Sequence, residues 1–179
     1  MSKFAHDPEK LQQHEEEMIR KFEDQLEMRR SAERYITNFY EEEDVDDELG
    51  IPLELFDVIW HASTVILPKL EVQVIIDSND KIFVSTGTAG YVDFKIDPVG
   101  MKLPIKCWIH THPFGRAYFS GTDISTVSIW EPLMKEAYVL GGEGHYGYWS
   151  QEAPTKLEIF HNNLYEETQV WNRKGDEEE

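Results

Sequence analysis

The run Pro104-Ile105-Lys106-Cys107-Trp108-Ile109 is apolar enough to be a buried strand, and it leads directly into His110-Thr111-His112. Alternate residues of a strand point to the same face, so the two imidazoles can converge on one ion. Pro113 and Gly115 stop the strand and turn the chain. Ser120 is placed to cap a short helix predicted over Ile124 to Trp130, and Asp123 lies just past the Ser-Gly-Thr turn that opens it. Two neutral imidazoles and one carboxylate form the donor set of a three-ligand zinc site whose fourth position is left to water. The plain alternative is that the histidines only end a core strand. The serine and aspartate that follow weigh against it.

The rest of the chain supplies elements around this strand. Asp7-Pro8-Glu9 is a helix start, with Asp as N-cap and Pro at the first helical position. Leu11, Met18, Phe22, Leu26, Ile36, Phe39 and Tyr40 recur at helical spacing, and no proline or glycine interrupts Glu9 to Tyr40. The expectation is one long amphipathic helix, or two with a break near Arg30-Ser31. Its apolar stripe needs a cover, either its own domain, a second copy or a partner protein. The acidic run Glu41 to Glu48 reads as a linker. Residues 1–48 are therefore expected to form a helical extension, and residues 49–179 the main domain with an acidic C-terminal tail.

Within that domain, Leu53 to Leu67 has a helical apolar face, and Pro68 ends it. His61 falls on this helix with nothing to place it near the other histidines. Strands are expected over Leu70 to Ile76, Lys81 to Ser85 and Gly90 to Ile96, before the histidine strand. Further strands are expected over Glu136 to Leu140, Tyr146 to Ser150 and Leu157 to His161, with a glycine-rich loop at Gly141 to Gly144. The fold class expected is α/β, an α+β mixed sheet flanked by helices.

Composition narrows the function classes. The net charge is −18, from 35 acids against 17 bases, which disfavours nucleic acid as a partner. Cys107 is the single cysteine, so no internal disulfide forms. No apolar run reaches the length of a membrane span, and the N-terminus lacks the apolar core of a signal peptide. The expectation is a cytoplasmic protein without a membrane partner.

His110, Thr111, His112, Pro113, Ser120 and Asp123 stand at the offsets of a known pattern. In this stretch the chain resembles the JAMM, or MPN-plus, metalloprotease family. The resemblance implies a cytidine-deaminase-like three-layer domain over roughly residues 50–161, preceded here by the long helical segment. It implies Zn2+ held by His110, His112 and Asp123. It also implies a general-base glutamate at the start of the strand after the first helix, shortly after a proline. Glu71, after Pro68-Lys69-Leu70, occupies that point, although Val74 stands where the family usually has glycine. Glu54 is the rival position.

The resemblance assigns the Ser120 hydroxyl to oxyanion stabilisation; a helix cap alone is the simpler role. Phe114, Arg116, Tyr118 and Phe119 either flank an extended peptide or fill the underside of their loop. The implied activity is that of a zinc metallopeptidase or isopeptidase that removes ubiquitin or a ubiquitin-like modifier from conjugates. The alternative is a non-catalytic metal-binding scaffold subunit held in a larger complex by the N-terminal helix. A nucleobase deaminase would need a Pro-Cys-x-x-Cys element, which a single cysteine excludes.

Overall fold

The computed structural model describes residues 7–42, 53–96 and 100–161, together with the backbone of 166–172. Most of the acidic run, the expected boundary between extension and main domain, and the acidic C-terminal tail lie outside the described residues. The first helix, α1 (Pro8–Glu42), is one continuous element of 35 residues, with no break at Arg30-Ser31. The second, α2 (Leu53–His61), passes into a π-helical turn, Ala62–Ile66, rather than running on as α-helix to Leu67. The strands are β1 (Val72–Ile76), β2 (Ile82–Thr86), β3 (Ile105–Thr111), β4 (Met134–Leu140), β5 (His145–Ser150), β6 (Ala153–His161) and β7 (Glu166–Asn172); α3 (Gly121–Trp130) joins β3 to β4.

They form one mixed sheet in the order β2-β1-β3-β4-β5-β6-β7. Every pairing is antiparallel except β3 with β4. That exception follows from the connection, because a helix between two neighbouring strands returns the chain to the same end of the sheet.

Strand alternation divides the core in two. Val72, Val74 and Ile76 of β1 and Cys107 and Ile109 of β3 pack beneath Ala32 and Ile36 of α1 and Leu55, Phe56 and Ile59 of α2. Ile75, Trp108, Ala137 and Val139 face the other way, with Val127 of α3. Helices thus cover both faces, and the histidine strand runs through the middle.

The C-terminal part of α1 belongs to this core. Arg29 Nη1 donates to Thr86 Oγ1 at 2.7 Å and to the Gly87 carbonyl at 3.0 Å, and Tyr40 donates to the Asp80 carbonyl. Earlier in the helix Leu11, Met18, Ile19 and Phe22 are exposed. Among the described residues no helix is long and apolar enough to cross a membrane.

The strand expected over Gly90 to Ile96 does not form. Its alternation is real, since Val92, Phe94 and Ile96 are half-buried while Tyr91, Asp93 and Lys95 are exposed. The segment lies extended over the face that carries Trp108, and Phe94 packs edge-on against that indole with ring centroids 5.3 Å apart. Period-two burial here comes from packing on a sheet face, with no ladder partner. The reverse holds for β7, whose Thr168-Gln169-Val170-Trp171 is β-prone and pairs with β6, although the last strand expected ended at His161.

Candidate metal centre

His110 is the penultimate residue of β3 and His112 directly follows the strand, and Asp123 enters from the first turn of α3. Their ligand atoms all lie within 4.8 Å of one another, so this buried group can hold a metal ion. Asp123 Oδ1 is 3.0 Å from His110 Nε2, and Oδ2 is 3.2 Å from His112 Nε2.

Each side chain is oriented by a neighbour. The His110 ring is 1% exposed and stacks on Trp108, with centroids 4.3 Å apart and planes at 13°. Trp108 is itself held by its Nε1–H to Gln73 Oε1 at 3.0 Å. Neither ring nitrogen of His110 makes a hydrogen bond, and the approach of Nε2 to Asp123 lacks hydrogen-bond alignment. An unmet buried polar atom costs about 1–3 kcal/mol, so the ring suits a ligand that Asp123 alone does not supply. His112 Nδ1 lies 3.2 Å from the Arg116 carbonyl. An Nδ1–H donated there leaves the Nε2 lone pair for a metal.

Asp123 is fixed by a capping box. The Ser120 N–H donates to its Oδ2 at 2.9 Å, and the Asp123 N–H donates to Ser120 Oγ at 3.2 Å. The residue that would ligate a metal therefore also starts the helix. Burial works against its charge, but the imidazoles of His110 and His112 outweigh it and hold the carboxyl well below the usual range. Burial lowers His110. Burial also pulls His112 down, yet Asp123 and the Arg116 carbonyl hold it above its ordinary value. An ionised carboxylate beside two imidazoles is the donor chemistry of a divalent cation site.

Glu71 lines the same cleft as His110, His112, Ser120 and Asp123, a space of about 320 Å³. It immediately precedes β1, whose register pairs Gln73 with His110. Extending that antiparallel register by two residues brings Glu71 level with His112, on the same face. Glu71 is 7% exposed. Burial raises its carboxyl to about 7, with His112 acting against the shift and Asp123 adding to it. Glu54 is exposed in the first turn of α2, the helix that covers the opposite face, and does not line the cleft.

Ser120 is half-buried at the cleft and caps α3. Its oxygen accepts from Asp123, which leaves its own proton to be donated. The aromatic loop divides between its two expected roles. Phe114 is 68% exposed and Tyr118 is also exposed, and both line the cleft, whereas Phe119 is buried beneath the loop. Lys69 Nζ lies 5.0 Å above the Phe114 ring. Arg116 is exposed and lines the neighbouring groove, as does His145, whose ring packs edge-on to His161. His61 packs against Tyr35, away from the cleft.

Two features carried no motif in the sequence. The extended segment around Tyr91, Val92 and Phe94 walls the cleft. Beneath the loop between the second histidine and the serine lie Gly141 and Gly147. A Cβ on Gly141 would collide with the Ala117 backbone nitrogen, and one on Gly147 would meet the Ala117 carbonyl oxygen at 2.8 Å. In the sequence Gly141 is one glycine of a glycine-rich loop and Gly147 a glycine inside an expected strand, signals too common to be specific.

The chain matches no protein-family model, no curated protein and no solved structure.

Proposed function

We propose that this protein is a zinc-dependent hydrolase of peptide or isopeptide bonds that removes ubiquitin or a ubiquitin-like modifier from conjugates. The observation that carries the reading is the buried Glu71 carboxylate on the same cleft as the His110, His112 and Asp123 cluster. A three-ligand site alone could be structural. A non-ligand acid beside it is what hydrolysis additionally requires. The layering of helices on both sheet faces supports the cytidine-deaminase-like domain that the JAMM resemblance implies.

In this reading His110, His112 and Asp123 hold Zn2+, which when bound polarises a carbonyl and brings the pKa of water to about 7. Glu71 takes the proton of the attacking water and later returns it to the leaving amine. The cation's charge favours the ionised form of Glu71, offsetting the rise that burial causes. Ser120 donates its hydroxyl proton to the oxyanion. Tyr91, Phe114 and Tyr118 wall the cleft and give a narrow extended chain apolar surface to lie against.

The test is metal content of the purified protein together with cleavage of a panel of modifier-linked lysine substrates. About one zinc per chain is expected. Glu71→Gln should retain the zinc and lose about 10²–10⁴-fold in kcat, whereas Glu54→Gln should change little. Full activity in Glu71→Gln would reject the assignment.

The exposed Leu11, Met18, Ile19 and Phe22 favour a second reading, a metal-binding scaffold subunit docked through α1. Absence of hydrolysis by zinc-loaded protein on every substrate would select it.

A further inference from the structure

Glu71 is the last residue of the irregular stretch that separates the π-helical turn from β1. The π-helical turn Ala62–Ile66 ends on a bond from the Leu67 N–H to the Ala62 carbonyl at 2.9 Å, and β1 starts only at Val72. No side chain among the described residues hydrogen-bonds the Glu71 carboxylate. Its aim is therefore set by the backbone that carries it.

That backbone is gripped by two fully buried hydroxyls, Ser63 and Thr111. The Val72 N–H donates to Thr111 Oγ1 at 2.9 Å. Thr111 Oγ1 and Ser63 Oγ are 2.8 Å apart, and Ser63 Oγ–H donates to the Leu70 carbonyl at 2.6 Å. Ser63 has one proton, and it is used on Leu70. The Thr111 hydroxyl must therefore be the donor between the two. The protons run one way, from Val72 N–H through Thr111 and Ser63 to the Leu70 carbonyl, and the chain closes around Glu71. The Ser63 carbonyl also accepts from the Leu70 N–H at 3.2 Å. On the other side the Glu71 N–H and carbonyl bond to Thr88 and Gly87 at 2.7 and 2.8 Å.

Thr111 is the residue between the two histidines, so the same hydroxyl that holds the peptide after Glu71 is rigidly attached to the metal-binding strand. We propose that Ser63 and Thr111 are positioning residues that set the general base against the metal, a clamp in which Thr111 fixes Glu71 to His110 and His112 and Ser63 completes it. This rests on the hydrolase reading above and assigns a task to a residue outside the motif, Ser63. Loss of the clamp would displace Glu71 without removing it. A displacement of about 1 Å in a catalytic group can cost about 10²-fold in rate.

The test compares Thr111→Val, Thr111→Ser, Ser63→Ala and Glu71→Gln in the full-length zinc-loaded protein. Thr111→Val keeps the shape and loses both hydrogen bonds. It should retain about one zinc, keep KM within about twofold and lose ~10–10² in kcat, with the acidic limb of the kcat–pH profile displaced. Thr111→Ser should restore both rate and profile. If Thr111→Val does not fold, Ser63→Ala carries the same comparison, since it leaves Thr111 on the Val72 N–H. A folded variant with parental kcat and pH profile overturns the clamp.

If the parent cleaves no substrate, the hydrolase reading fails separately, and the clamp is then read from the cobalt-substituted protein. The pH midpoint of its visible spectrum should move in Thr111→Val in the same direction as in Glu71→Gln. Movement in Glu71→Gln alone overturns it.

Discussion

Burial raises the Glu71 carboxyl to about 7 in the metal-free protein, against an ordinary 4.5. Between those values the folded state binds more protons at this site than the unfolded state, so the residue's contribution to stability falls as pH rises through that window. Glu71→Gln removes the titration. The stability of the metal-free variant relative to the parent should therefore rise from pH 4.5 to 7 and level off above, measured by denaturant unfolding at several pH values. A difference that stays flat would mean that the carboxyl is solvated. Ser120 allows a second single-residue test, because its oxygen caps α3 while its proton is free for the cleft. Ser120→Ala should lose about 0.5–2 kcal/mol of stability as a cap and about 10²–10³-fold in kcat as an oxyanion donor. An unchanged kcat well below the melting temperature would leave the cap as its whole role.

Among the elements, α1 carries two different surfaces on one helix. Up to Met28 its large apolar side chains are exposed except the half-buried Leu26; from Arg29 on it bonds to the β2 corner and buries Ala32 and Ile36. A chain starting at Arg29 should melt within a few degrees of the parent. A chain lacking α1 through Glu42 should melt far lower or precipitate, because each large buried apolar side chain contributes about 1.5–3 kcal/mol against a total of about 5–15. Thermal denaturation of the two truncations checks this, and equal melting points would contradict the packing. The sequence carried the helix itself clearly, through its uninterrupted apolar spacing, but not which half is covered, since Phe22 and Ile36 lie on the same stripe. Ser120 and Asp123 were legible because a capping box has fixed local spacing. Glu71 was preferred over Glu54 in the sequence because it opens a strand that can lie beside the histidine strand, but the face of the sheet on which each one ends is set by the fold and not by local pattern. The segment from Gly90 to Ile96 shows the converse limit, since burial of alternate residues does not reveal whether a neighbouring strand is present.

For the molecule as a whole, the candidate metal site joins two parts of the chain, β3 and α3, that border the core on the face opposite α1. A metal bound only by the folded state stabilises it by about 2.7 kcal/mol at a hundred times the dissociation constant. Zinc should thus raise the melting temperature of the whole domain, and chelation should lower it, as calorimetry would show. Replacement of His110, His112 and Asp123 by alanine should abolish that response. The glycine floor adds a different consequence. Because Gly141 and Gly147 leave no room for a methyl group beneath Ala117, one such substitution would lift the loop that connects His112 to Ser120 while His110, His112, Asp123, Glu71 and Ser120 all kept their identity. In a lineage of such chains, inheritance of the full set of candidate site residues would not by itself mark a copy as having the same site; a descendant could lose the arrangement through its floor and still look intact at every motif position.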